Sequence, residues 1–243
     1  MKVSAVVIAK NEEKDILACL ESLRFCNEIV VIDDYSTDDT RRIARNAGAR
    51  VFKRRLNGDF AAQRNYGLEK TSNKYVLFVD SDEVVSKSLA GEIERLDGES
   101  DGYMIKREDV FLGKKLMYGE TGNRRLLRLA RKGAGKWRRK VHEAWEVGGK
   151  VGEVEGEIIH TPCENLADFL DKINKWSSLH ARANRLEGKK ASLVKIVLWP
   201  SGKFVTNYFI KLGFMDGLHG FVHASMMSLH SFLAWSKLWK LQH

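Results

Sequence analysis

The run Tyr75 to Val79 is apolar without interruption and stops at Asp80, with Ser81, Asp82 and Glu83 directly behind it. An unbroken run of Val, Leu, Phe and Tyr fits a strand buried on both faces, as in the parallel sheet of an α/β protein. Acids at the carboxyl edge of such a strand lie where open α/β sheets take their ligands. Asp80 and Asp82, two residues apart around a turn, can both face one hard cation, and Mg2+ or Mn2+ prefers oxygen. The plain alternative is that Asp after a strand forms a turn or caps a helix. An Asp-x-Asp is also short enough to arise by chance in 243 residues.

Three further segments repeat the pattern. Val3 to Ala9 and Glu28 to Asp34 read as buried strands, the second also closed by acids, and Arg50 to Lys53 reads as a short one. Between them Ile16, Leu17, Leu20 and Leu23 recur at helical spacing, with Asn11 placed to cap that helix. Ser36 or Thr37 is placed to cap the next, ahead of Asp38 and Asp39 and with Gly48 at its end. Asp59 to Lys70 supplies a third helix. This βαβαβαβ order, with about 22–25 residues per unit, predicts a Rossmann-like, mostly parallel central sheet.

Past a helix near residues 86–96 the rhythm changes. Alternation in Gly102-Tyr-Met-Ile-Lys106 and in Arg124-Arg-Leu-Leu-Arg-Leu129, then the β-branched stretch from Val147 to His160, predicts a mixed extension of the sheet. Helical spacing returns from Asn165 through Phe169, Ile173, Trp176 and Leu179, breaks at Gly188, and gives way to an aromatic, basic section from Leu193 to Trp239. The expected organisation is an α/β domain over 1–164, with a mostly parallel half to about residue 100 and a mixed half over about 101–164. A helical, basic C-terminal region over 165–243 follows it.

Charge and cysteine usage narrow the class. Of the 41 basic and 32 acidic residues, 30 of each lie in the first 171 positions, so the whole excess of +9 belongs to the last 72. Such asymmetry points to an anionic partner for the tail. Cys19, Cys26 and Cys163 are odd in number and form no Cys-x-x-Cys pair, which argues against a zinc site or a disulfide framework and suits a reducing cytoplasm. The N-terminal apolar run is too short for a secretory signal, and no run of 18 apolar residues marks a spanning helix.

A dinucleotide-binding protein would carry G-x-G-x-x-G after the first strand, where this chain reads Ala9-Lys-Asn-Glu-Glu13. No Walker P-loop is present either. Phosphates bound here need another neutralising group, which a cation on Asp80 and Asp82 supplies. Asp33 and Asp34, at the neighbouring strand end, are placed to accept from a base N–H or a ribose hydroxyl. Gln63, Arg64 and Asn65, on the helix leading into the acidic strand, add a cation and two amides.

Four blocks in this order resemble glycosyltransferase family 2: Val6-Val-Ile-Ala-Lys-Asn-Glu-Glu13, Glu28-Ile-Val-Val-Ile-Asp-Asp-Tyr-Ser-Thr-Asp-Asp-Thr40, Ala61-Ala-Gln-Arg-Asn-Tyr-Gly-Leu68 and Phe78-Val-Asp-Ser-Asp-Glu83. Within that family the chain is most similar to the lipopolysaccharide-core β-glucosyltransferase group, through Trp137-Arg-Arg-Lys-Val-His-Glu143 and the tail around Trp199-Pro200, Tyr208, Gly213-Phe214 and Asp216-Gly217. The resemblance implies a GT-A fold, a nucleotide-sugar donor such as UDP-glucose, a divalent cation and inversion at the anomeric carbon. It also implies that Ala9, Asn11 and Glu12, with Asp33 or Asp34, hold the uridine. Arg64 then lies near base or phosphates, and Asp80 and Asp82 near ribose and metal. Asp34-Tyr35 departs from the Ser-Gly common at that place, which leaves the choice between Asp33 and Asp34 open.

Sugar transfer builds positive charge on the sugar ring and negative charge on the departing diphosphate, and inversion needs a base on the acceptor hydroxyl from the opposite face. Glu143 is the candidate base, with His142 to orient it or to reach the metal; His160 and Glu120 are weaker candidates. The tail interleaves Phe204, Tyr208, Phe209, Phe214, Trp235 and Trp239 with lysines, a composition suited to a helix lying in a membrane interface. The alternative is packing on the catalytic domain or on a second subunit, as in a homo-oligomer. No nucleic-acid module accompanies the charge. The expectation is a cytoplasmic, inverting transferase, peripheral on the inner face of the membrane, that moves a sugar onto a glycan or lipid-linked acceptor in envelope synthesis. The alternatives are a non-catalytic nucleotide-sugar or membrane-binding module, a polyprenyl-phosphate sugar transferase, and a nucleotidyltransferase.

Overall fold

The computed structural model describes residues 1–122, 124–140, 143–163 and 165–243. Contacts divide the chain into two compact units, Met1–Arg107 with Arg124–His160, and Glu108–Asn123 with Thr161–His243.

The first unit is built on β1 (Val3–Ala9), β2 (Glu28–Asp33), β3 (Arg50–Lys53) and β4 (Tyr75–Asp80), parallel in the order β3-β2-β1-β4. Val6 stands opposite Val30 on one side and Phe78 on the other. Successive side chains of a strand face opposite ways, and here both ways are apolar. Val3, Ala5 and Val7 pack with Ile16, Cys19 and Leu20 of α1 (Ile16–Ser22) and with Leu89 and Ile93 of α4 (Lys87–Arg95). On the other face Val6, Val30, Ile32 and Phe78 meet Ala61 and Leu68 of α3 (Phe60–Lys70) and two tryptophans, Trp137 and Trp145. Those tryptophans sit opposite each other in a hairpin, β9 (Gly135–Arg138) and β10 (Ala144–Val147), and stack at 5.4 Å with Phe78 edge-on to both. Each such ring buried contributes about 1.5–3 kcal/mol.

Beyond β4 the direction reverses, which is the expected mixed extension. β8 (Arg124–Arg131) is antiparallel to β4, β6 (Gly102–Phe111) to β8, the short β7 (Lys114–Lys115) to β6, and β11 (Val151–His160) to β5 (Glu83–Val85). The pairing order is β3-β2-β1-β4-β8-β6-β11-β5. From β4 to β5 this path takes four strand spacings, about 19 Å. The chain covers the same step from Asp80 to Glu83 in three Cα–Cα steps, at most about 11 Å. The sheet therefore curls until its last strand returns to β4, and the acidic turn lies at that closure. Close packing of α4 on β11 secures it: a Cβ on Gly156 would collide with the Leu89 backbone.

The expected helix caps are used differently. α1 is preceded by Asp15, and α2 (Thr40–Asn46) by Asp39, neither with a capping side-chain bond. Asn11 is in the left-handed region (φ 56°), where its N–H donates to Ser36 Oγ (2.9 Å) and its Oδ1 accepts from the Thr37 N–H (2.8 Å). The Glu12 N–H donates to Thr40 Oγ1 at 2.8 Å. Residues able to cap their own helices instead fasten the β1–α1 loop to the β2–α2 loop. Asp59 and Ser86 do cap α3 and α4, accepting from the N–H groups of Ala62 and Leu89.

The second unit holds α5 (Leu166–Leu186), α6 (Leu193–Val205) and α7 (Leu218–Gln242), with a π turn over Thr206–Ile210 and a 3-10 turn over Gly213–Asp216. Its core contains Phe111, Leu116, Phe169, Ile173 and Met226. Glu108–Asn123, which includes the end of β6, groups with these helices. Phe111 and Leu116 enter their apolar core, Asp216 accepts from the N–H groups of Met117 and Tyr118, and Lys203 pairs with Glu120 at 2.5 Å. No helix among the described residues is long and apolar enough to cross a membrane.

Candidate active site

The carboxyl ends of β1, β2 and β4 bring the expected residues to one edge of the first unit. Asp33 is fully buried, with both oxygens accepting from the Ser36 N–H at 3.2 Å and Arg41 Nε 3.6 Å away. Asp34 accepts from Lys10 Nζ at 2.6 Å and from the Leu56 N–H at 3.0 Å, and its own N–H donates to the Ala9 carbonyl. Tyr35, at φ 52° and with its ring exposed, carries Arg55 over its face at 4.4 Å.

At the end of β4 a buried network replaces the isolated motif. Arg64 donates from Nη2 to Asp80 Oδ1 (2.8 Å) and from Nε to Glu143 Oε1 (2.9 Å), so one guanidinium links the β4 acid to the candidate base. Arg128, on β8, donates to Asp80 Oδ2 at 2.8 Å and to Glu83 Oε1 at 3.2 Å. Glu83 in turn accepts from the Asp80 N–H at 2.9 Å. Burial alone would raise the Asp80 carboxyl, but the charges and hydrogen bonds of Arg128 and Arg64 overcome it and hold the group well below the usual carboxylate range. Burial pushes Glu83 up, and the charge of Asp80 adds to it, against the pull of Arg128.

A cavity of about 360 Å³ opens beside this network, walled by Arg64, Asp80, Arg128 and Glu143 together with Trp137 and Trp145. Asp82 lies on the other side of the turn, its Oδ2 3.5 Å from His160 Nε2. His160 arrives there because β11 pairs with β5 in a register that sets His160 opposite Glu83. His142 lies outside the described residues.

The model of the family Glycosyl transferase family 2 matches residues 4–146, more than half of the chain, and so spans Asp33, Asp34, Arg64, Asp80, Asp82 and Glu143. The chain belongs to that family. This family 2 glycosyltransferase is 30% identical over 250 residues to "Lipopolysaccharide core biosynthesis glycosyltransferase LpsC" of Rhizobium meliloti, covering 99% of this chain and 93% of that protein. It is 27% identical over 258 residues to an uncharacterized glycosyltransferase, RT0209, of Rickettsia typhi, covering 99% and 87%. Among solved structures, S. aureus TarS 1–349 superposes with a TM-score of 0.51 at 16% identity, covering all of this chain and 92% of that one, and so shares the GT-A fold.

The donor set of the glycosyltransferase fits a divalent ion held in part by substrate. Asp82 offers the carboxylate oxygen that Mn2+ and Mg2+ combine with phosphate and water, and His160 stands beside it. No group of three or more ligating side chains is found among the described residues. Asp80, in contrast, has each oxygen already on an arginine.

The Gln63-Arg64-Asn65 block divides its work. Gln63 donates to the Arg54 carbonyl at 2.9 Å and accepts from Arg54 Nη1 at 2.7 Å. Asn65 exchanges two bonds with the Trp137 backbone, 2.9 and 3.0 Å. Both amides therefore fasten α3 to its neighbours, and only Arg64 faces the network. Arg128 was not foreseen. Its signal was present as an arginine inside the alternating Arg124–Leu129 stretch, but alternation alone gives no inward direction to a charged residue.

Proposed function

We propose that the protein moves a sugar from a UDP-sugar, with inversion, onto a glycan acceptor of the lipopolysaccharide core. The observation that carries the reading is the Asp80–Arg64–Glu143 chain, which holds a carboxylate beside a cavity at the carboxyl edge of β4. The name of the Rhizobium relative supports the acceptor class, and TarS was crystallised with UDP and with UDP-GlcNAc.

In this reading residues 9–12 and the Asp33–Asp34 loop receive the uridine, and Asp82 with His160 holds a divalent cation. The cation supplies Lewis-acid stabilisation to the departing diphosphate. Glu143 takes the proton of the acceptor hydroxyl, whose oxygen forms the new bond to the anomeric carbon as the bond to the diphosphate oxygen breaks. Arg64 fixes the orientation of Glu143 through the bond from Nε to Oε1. The second unit lies against an anionic membrane surface. Leu193, Val194, Val197, Leu198 and Trp199 of α6 are all more than half exposed, and α6 lies within the last 72 residues, which carry eleven basic side chains against two acidic ones.

A screen of nucleotide sugars for hydrolysis and transfer tests the reading. Turnover should require a divalent ion, stop on chelation, and vanish in Asp82→Ala; full activity in chelator would sink the metal assignment. Glu143→Gln should bind donor normally and transfer about 10²–10⁴-fold more slowly. A normal rate would remove Glu143 as the base.

A further inference from the structure

The cavity beside Glu143 is walled by guanidinium groups. Arg64, Arg107, Arg124, Arg125 and Arg128 line it with Asp80 and Glu143, while Arg107 also faces Glu83 and Arg125 faces Glu153 and Glu155. Arg64 and Arg128 are 5% and 6% exposed, and each keeps a buried Nη1 with no hydrogen-bond partner among the described residues. A buried guanidinium N–H left unpaired costs free energy that a bound acceptor atom recovers. The indole N–H groups of Trp137 and Trp145, also in the wall, are buried without a partner as well.

The position of the cavity says which substrate supplies those acceptor atoms. It is lined from α3, β4, β6, β8 and the β9–β10 hairpin, on the side of β4 away from β1 and β2. Neither the Asn11 and Asp33–Asp34 loops nor the Asp82–His160 corner contributes to it. About 360 Å³ lies at the small end of ligand sites and suits one sugar ring with its substituent. Guanidinium forks match phosphate and carboxylate oxygens.

We propose that this cavity is an acceptor subsite for an anionic sugar, one bearing a phosphate ester or a carboxylate close to the hydroxyl that Glu143 deprotonates. This rests on the glycosyltransferase reading above and adds the chemical class of its acceptor. The anion is held by Arg128 and Arg64, with Arg124 beside them, and the ring lies along Trp137 and Trp145.

Calorimetric titration of the full chain with mannose 6-phosphate, galacturonate and mannose tests it. At least one charged sugar should bind roughly 10- to 100-fold more tightly than mannose, as one or two charge-assisted hydrogen bonds would give. Which of the two binds distinguishes phosphate from carboxylate. Arg124→Gln and Arg128→Lys should each lose most of that preference while keeping the near-ultraviolet circular dichroism of the parent. Equal binding of all three sugars, or a preference untouched in both folded variants, overturns the subsite. Competition of UDP with the charged sugar would assign the arginines to the donor diphosphate and overturn it too. Donor hydrolysis, measured separately, keeps the two readings apart. Hydrolysis without charge preference defeats only the subsite, and charge preference without turnover of any donor defeats the acceptor role.

Discussion

Arg64 and Arg128 decide what the Asp-x-Asp edge can do. Between them they make four bonds to Asp80, Glu83 and Glu143, all drawn from a part of the protein that excludes most water. Removing one cation from such a set leaves carboxylates without compensation, the costly way to break a buried pair. Arg128→Ala is therefore expected to lower stability by about 3 kcal/mol, the low end of the buried-pair range because Asp80 retains some exposure. Chemical denaturation followed by tryptophan fluorescence would show it, and an unchanged midpoint would mean that the network is ornamental to folding. Asp80 and Asp82 were readable from sequence because a strand delivers them. Their different company was not: Arg128 for one and His160 for the other depend on β8 and β11, strands about 50 and 80 residues further on.

The elements follow the apolar runs closely, while the loops do not follow their caps. Residues with short polar side chains near a helix start satisfy either their own helix or a neighbouring loop, and the chain gives no local preference between them. Here Asn11, Ser36 and Thr40 satisfy each other's loops, which binds the carboxyl ends of β1 and β2 into one rim. The closure of the sheet is governed in the same non-local way by Gly156. Any side chain there meets the Leu89 backbone, which cannot rotate aside as a side chain would. Gly156→Ala should cost about 3 kcal/mol, the upper part of the overpacking range, and should displace α4 from β11. Denaturant titration is the check, and parental stability would contradict the close packing.

Charge and apolar exposure act over the whole molecule. With all of the +9 excess in the last 72 residues and α6 showing Leu198 and Trp199 to solvent, the protein should sediment with vesicles rich in anionic lipid and not with zwitterionic ones. Raising salt should release it, since the attraction of each lysine near the surface, about 1 kcal/mol, is screened. Leu198→Glu should weaken binding without loss of fold, and equal sedimentation with both lipids would leave the surface to another partner. By itself the sequence determined the strand order along the chain, the acidic strand ends, the family and the placement of charge, because these rest on local periodicity and on contiguous motifs. Only the tertiary structure decided that the sheet curls back from β11 through β5 to the Asp80–Glu83 turn. Only it set Arg128 on Asp80 and His160 beside Asp82. Those pairings join residues far apart in sequence, and the antiparallel registers of β8 on β4 and of β11 on β5 make them.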